Sequence, residues 1–181
     1  MGSRDVWSHG SARHLRDLLA SALATLLLPG AAPGHVYFSS PWMSDFVLYD
    51  NSGRQFGTLF PANCERSELR LIDYLLRLAT MRQVRIMTTS TDASRAFVSQ
   101  LRATQSDTHS TQLEIRFARS DAHEKGILTP CFCIDGSMNI TYSGVYVRGE
   151  KVTYHTAVDE EGRDRIARAY LEYDRQWRLL E

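Results

Sequence analysis

The sequence predicts an α/β fold in which a mixed β-sheet is flanked by helices. Two features lead there. Over the first half of the chain, β-prone apolar runs alternate with segments of helical periodicity, and beyond residue 113 the strand-like runs follow one another closely. That succession suits a mixed sheet covered by helices. A third feature sets the scale. With 181 residues, 43% of them hydrophobic and 23% charged, the chain can build one sizeable core and is too apolar to be disordered.

The elements follow in order. Leu15, Leu18, Leu19, Ala22, Leu23, Leu26 and Leu27 recur at helical spacing from about Ser11 to Leu28, and Pro29-Gly30 stops the run. This amphipathic helix is expected to pack under the main domain or at a dimer seam. It makes residues 1–33 an N-terminal helical extension and residues 34–181 the main domain. His35 to Ser39 reads as a strand ending in Ser40-Pro41-Trp42-Met43-Ser44-Asp45, where Trp42 is expected to line a cleft or to cover the core. A short strand is expected at Gln55 to Phe60. Leu69, Ile72, Leu76 and Ala79 mark a helix over Ser67 to Arg82, and Gln83 to Thr88 reads as a buried strand. Thr91 or Asp92 caps a further helix with Ala93, Phe97, Gln100 and Leu101 along one side, and the polar run from Arg102 to Thr111 reads as a loop. Leu113, Ile115 and Phe117 alternate with Glu114 and Arg116 as a half-exposed strand. Residues 122–129, 131–134, 140–147 and 151–157 are short β-prone runs. A closing helix over 159–180 has Ile166, Tyr170, Tyr173 and Trp177 on one face, and its arginines alternate with acids as a solvated face.

The chemistry concentrates between residues 123 and 139. His123 and Lys125 are two apart, so on an extended segment both side chains point to one face. The run from Phe132 to Ile134 is expected to return antiparallel and bring Gly136, Ser137 and Asn139 back to the same end. A phosphodiester is an anion that repels nucleophiles, so a site acting on it needs cationic and hydrogen-bonding groups aimed at its non-bridging oxygens. Lys125, Ser137 and Asn139 are such groups. Imidazole attacks when neutral and donates a proton when charged, and its ordinary pKa of about 6.5 supplies both forms near neutrality.

The pattern H-x-K followed by G-S-x-N resembles the signature of the phospholipase D superfamily, whose fold is an α-β-α sandwich. The Ser-Pro-Trp-x-Ser-Asp segment and Thr141-Tyr142-Ser143-Gly144 are similar to those of small members from bacterial defence clusters. The resemblance implies that His123 is nucleophile or acid and that Lys125, Ser137 and Asn139 hold phosphate oxygens. In that family two motifs meet at one site, one histidine forming a phosphohistidine and the other protonating the leaving oxygen. Lys125 and Lys151 are the only lysines, and Lys151 follows Glu150 and Gly149, so a second H-x-K has to come from another chain. A two-fold homodimer is expected. The family's aspartate five residues after the lysine is replaced by Pro130; Glu124, Asp135, Glu150 and His155 are the candidate supporting residues. The implied function is a metal-independent DNA nuclease in a bacterial defence system, acting with an ATPase or helicase. The alternative is a catalytically weak or inactive subunit that binds nucleic acid or scaffolds such a complex.

Composition narrows the partners. The formal net charge is zero, so any contact with DNA is expected to use a local patch, the dimer cleft or a partner protein. Cys64, Cys131 and Cys133 form neither a disulfide framework nor a zinc pattern, and the expectation is a reducing, cytoplasmic setting with no metal and no cofactor. Leu18 to Leu28 is well short of the ~20 apolar residues that span a bilayer, and it lacks the features of a signal peptide, so no membrane role is expected.

Overall fold

The computed structural model describes residues 3–7, 12–105 and 112–180. Its centre is a seven-stranded mixed sheet built from β1 (Ser3–Trp7), β2 (Val36–Ser39), β5 (Val84–Thr89), β6 (Leu113–Ala118), β7 (Gly126–Leu128), β8 (Phe132–Gly136) and β9 (Lys151–Thr156). Their order across the sheet is β1-β9-β8-β7-β2-β5-β6. Strands β2, β5 and β6 run parallel, in register Val36↔Val84 and Val84↔Leu113. Parallel neighbours need long crossovers, and the chain supplies them as α2 (Leu71–Ala79) and α3 (Asp92–Thr104). Strands β7, β8 and β9 form an antiparallel meander, with β1 added antiparallel at the edge.

Helices cover both faces. On one, α1 (Ala12–Thr25) contributes Leu15, Leu19 and Leu23, together with Leu26 just beyond its end, to the same core as Val36, Phe38, Leu75, Ile86, Phe97 and Ile134. On the other, α4 (Glu160–Leu179) lays Ile166 and Trp177 over Tyr37, Met87, Leu128 and Cys133. The result is an α-β-α sandwich. Asp174 of α4 ties the second layer by accepting from Tyr37 Oη, His35 Nε2 and Arg85 Nη1. Burial works against its charge, but Tyr37, His35 and Arg85 outweigh it and hold the carboxyl below its ordinary range. Burial also pushes the Tyr37 phenol up to about 12.

Local signals explain where helices start. Thr91 caps α3, its hydroxyl accepting from Ser94 N, and Asp159 caps α4 through Gly162 N at 2.9 Å. The helix expected from Ser67 begins only at Leu71, because β4 (Glu68–Arg70) pairs with β3 (Val47–Asp50) in a separate two-stranded sheet.

Two expected strands are absent from the fold. Residues 55–60 form turns, and their apolar character serves the packing of Phe56 and Phe60 on Tyr49, with ring centroids 4.7 and 5.5 Å away. Ser143–Val147 is one π-helical turn, although its valines favour strands; Gly144 lies so close to Asn139 O that a Cβ would come within 2.2 Å. The expected loop is shortened because α3 continues to Thr104, and residues 106–111 lie outside the described ones. Strand β1 had no counterpart in the sequence-based expectation. Its segment is short and charged, and it is held by Lys151 and Thr153, both within 2.8 Å of Asp5.

Candidate active site

The motif assembles at one end of the sheet. Gly126 of β7 pairs with Ser39 on one side and Asp135 on the other, so the residues just before β7, just after β2 and just after β8 share that end. Strand β7 is shorter than expected: His123 and Lys125 precede it in an irregular segment rather than lying on a strand. Lys125 Nζ turns back to donate to His123 O at 2.7 Å. An ammonium has three donors, so this bond leaves Lys125 with others for an anion.

Gly136 makes the turn possible. It closes β8 with φ of 146°, and a Cβ would meet Lys151 O at 2.2 Å and Val152 Cα at 2.9 Å. Only glycine suits that combination. Beyond it, Ser137 N donates to Lys151 O at 2.9 Å, and Ser137 Oγ donates to the buried Glu150. Glu150 is thus the supporting candidate that contacts the motif. With its hydroxyl proton committed to Glu150, Ser137 orders the turn in this conformation.

Asn139 is buried on the opposite flank, beside β2. Ser40, a residue absent from the sequence-based candidates, joins the pieces. Its hydroxyl donates to Trp42 O at 2.7 Å, accepts from Ile140 N at 3.0 Å and lies 3.4 Å from Asn139 Oδ1. That placement turns the Asn139 carbonyl toward Ser40. Because adjacent strands are ~4.8 Å apart, Ser137 beyond β8 and Ser40 beyond β2 stand roughly 10 Å apart with Lys125 between them.

A cleft of about 540 Å³ opens beside Ser40 and His123, while Lys125, Ser137 and Asn139 are not part of its lining. Ser39, Ser40, Thr88, Thr89, His123 and Glu124 line it at the ends of β2 and β5, and Gln176, Leu179 and Leu180 close it. The carboxyl ends of parallel strands are the usual location of sites in such sheets. Arg116 fixes the closing wall by donating to Trp177 O and Leu180 O while its guanidinium lies 4.6 Å from the Trp177 ring.

Two supporting candidates face elsewhere. Asp135 contacts Arg165 Nη2 at 3.2 Å, and His155 Nε2 lies 3.5 Å from the same carboxylate oxygen. His155 opposes Cys133, whose alternation turns both toward α4. It stands four residues along β9 from Lys151, roughly 13 Å from the motif end. Burial, aided by Arg165, lowers the His155 pKa against the opposing pull of Asp135 and Asp5. Glu124 is exposed at the cleft, and Pro130 follows β7 in contact range of Gly34. Asp45, in the segment expected to line a cleft, instead accepts from Arg70 Nε and from Ile72 N at the start of α2. Trp42 does not cover the core, being 46% exposed.

The α-β-α sandwich, which here carries a His-x-Lys segment and a Gly-Ser-x-Asn turn at one sheet end, defines the fold class, and similar solved structures share that fold. Nuc, a phospholipase D family member from Salmonella typhimurium, matches with a TM-score of 0.57 and 14% identity over 99% of this chain and 95% of its own. NucT from Helicobacter pylori matches with a TM-score of 0.56 and 10% identity over 98% of this chain and 96% of its own. TrmBL2, an archaeal chromatin protein with a novel mode of DNA binding, matches all of this chain over 54% of its own length, at 10% identity and a TM-score of 0.57. The chain has the phospholipase D fold. No protein-family model and no curated protein matches its sequence. Among the described residues, no helix is long and apolar enough to cross a membrane, and no group of three or more His, Cys, Asp or Glu side chains is placed to hold a metal ion.

Proposed function

We propose that this protein is a phosphodiesterase of the phospholipase D superfamily, a nuclease acting on DNA through a phosphohistidine. The observation that carries the reading is the convergence of His123, Lys125 and Asn139 on one sheet end in a fold shared with Nuc and NucT. In the first step the neutral imidazole of one His123 attacks phosphorus, forming an N–P bond as the P–O bond to the leaving nucleotide breaks. The imidazolium of the second His123, from the partner in a homodimer, gives its proton to that oxygen. In the second step the now neutral partner imidazole takes a proton from water, whose oxygen displaces the first histidine. Lys125 and the Asn139 amide stabilise charge on the non-bridging oxygens. The proposed setting is a bacterial defence system with an ATPase or helicase partner.

The test is cleavage of DNA by purified protein in EDTA, together with a mass measurement in solution. The expected results are chelator-resistant cleavage, a doubled mass, and a loss of at least about 10³-fold in rate for His123→Ala. Cleavage abolished by EDTA or unchanged in His123→Ala would overturn the mechanism. A second reading, a subunit that binds nucleic acid or scaffolds a complex without turnover, is favoured by Pro130 in place of the family's aspartate. Binding lost in Lys125→Ala, with no cleavage by the wild type, would select it.

A further inference from the structure

We infer that Trp42 and Tyr142 form a stacking platform beside the motif, and that the ligand laid across it is single-stranded nucleic acid, whose bases stack on these rings while its phosphates meet Lys125 and Asn139. For the chemistry of the site the inference rests on the phosphodiesterase reading; the platform itself stands on placement and rigidity.

Among the described residues three aromatic side chains are exposed: Trp7 at 54%, Trp42 at 46% and Tyr142 at 56%. All three lie at the motif end of the sheet. Trp42 follows Ser40 by two residues, Tyr142 follows Asn139 by three, and Trp7 pairs with Lys151, whose carbonyl holds Ser137 N. Of the exposed large aliphatic side chains, Leu28, Met81, Val158 and Leu171 belong to other elements and connections, whereas Val147 ends the turn that follows Tyr142 and Leu179 closes the cleft. Flat rings are therefore gathered where the anion-binding donors are.

The two principal rings stand on braced backbone. The turn carrying Trp42 is clamped through Pro41 O, which accepts from Thr89 Oγ1 at 2.6 Å and Ser94 Oγ at 3.1 Å, while Met43 N donates to Ser94 Oγ. Met43 and Ile140 bridge the two segments, and Tyr142 N donates to Ser44 Oγ at 2.9 Å. Tyr142 stacks on Tyr146, with centroids 5.0 Å apart and planes at 16°, and the Tyr146 hydroxyl is tied to Val47 O. One face of Tyr142 is thus occupied by Tyr146, and the side chain remains 56% exposed. A braced, exposed ring loses little entropy when a base settles on it.

Two features select the ligand. In a duplex the base faces are buried against one another, so only unpaired bases can use such rings. The chain also has zero net charge, so electrostatics alone supply little affinity for a polyanion. Stacking supplies what charge does not, with little dependence on base identity and a shallow salt slope.

The test uses full-length protein carrying His123→Ala to suppress turnover, and three labelled probes: an oligothymidylate of roughly 20 nucleotides, long enough to cover a site of this kind, an abasic phosphodiester of the same length, and a duplex. Removing a stacked base weakens binding about 5- to 150-fold. The oligothymidylate is expected to bind tighter than the abasic chain and the duplex by a factor in that range. Adding Trp42→Ala or Tyr142→Ala should erase most of that advantage, and Trp42→Phe should retain it. Equal affinity for the base-bearing and abasic chains would overturn the platform. So would a Trp42→Ala variant whose solution mass falls, which assigns the ring to a contact between copies, or Trp42-dependent binding to phosphatidylglycerol vesicles without base dependence. Cleavage by the wild type separates this inference from the reading beneath it. Equal cleavage of both chains sinks the platform and leaves the phosphodiesterase; base-dependent binding without any cleavage does the reverse.

Discussion

Replacing Gly136 by alanine tests whether the motif's glycine is demanded by the backbone. Its φ of 146° is a conformation that L side chains rarely adopt, and the added methyl would lie 2.2 Å from Lys151 O. The strained dihedral costs about 1–3 kcal/mol and the overpacking a further ~1–3 kcal/mol. Moving β9 away to relieve the clash breaks the bond from Ser137 N to Lys151 O, worth about 0.5–1.5 kcal/mol. The sum, about 2.5–7.5 kcal/mol, is a large share of the roughly 5–15 kcal/mol that stabilises a domain. At about 2–4 °C per kcal/mol for a chain of this size, Tm should fall by roughly 5–30 °C. Thermal unfolding followed by far-UV circular dichroism reads this directly. A fall of less than about 3 °C would mean that the turn adapts easily, and the steric account of this glycine would be wrong.

Two further substitutions test groups that lie off the motif. The lowered pKa of buried His155 means that the folded protein keeps it neutral where the unfolded chain binds a proton, so its contribution is present above about pH 6.5 and is lost as pH falls toward the lower folded value. Wild-type Tm should therefore drop between about pH 7.5 and 5.5 by more than that of His155→Gln, and parallel curves would refute the assignment. Asp45→Asn weakens the charged contact with Arg70 and the bond to Ile72 N. The expected loss is about 1–3 kcal/mol, seen as a lower Tm with the proposed phosphodiesterase activity per folded molecule unchanged; lost activity at unchanged Tm would place Asp45 in the chemistry instead.

Local patterns were legible where one short-range cause dominates. The leucine spacing of α1, the Thr91 cap and the aromatic face of α4 each declare an element within a few residues, and the return of Phe132 to Ile134 beside the motif followed from the compact spacing of its parts. Misreadings arose where tertiary contacts override propensity. Phe56 and Phe60 look like strand residues but pack on Tyr49, and Glu68–Arg70 leaves a helical pattern to pair with β3. The motif's own residues were visible as a cluster, whereas Ser40 was not, since its tie to Asn139 spans 99 positions. The S-P-W turn marked the place, but nothing nearby in the chain names Thr89 and Ser94 as the side chains that hold it. His155 was ambiguous for the same reason: strand alternation gives two faces, and only the packing of α4 decides between them.

The separation between Ser40 and Asn139 also bears on when the molecule becomes competent. The β7–β8–β9 meander can form from neighbouring residues, but β2 reaches β7 only after the intervening chain has closed, and such distant pairings form slowly. A folding intermediate holding the meander alone would present His123 and Lys125 with no anchored carboxamide. The proposed action on phosphodiesters would therefore have to wait until β2 has closed onto β7.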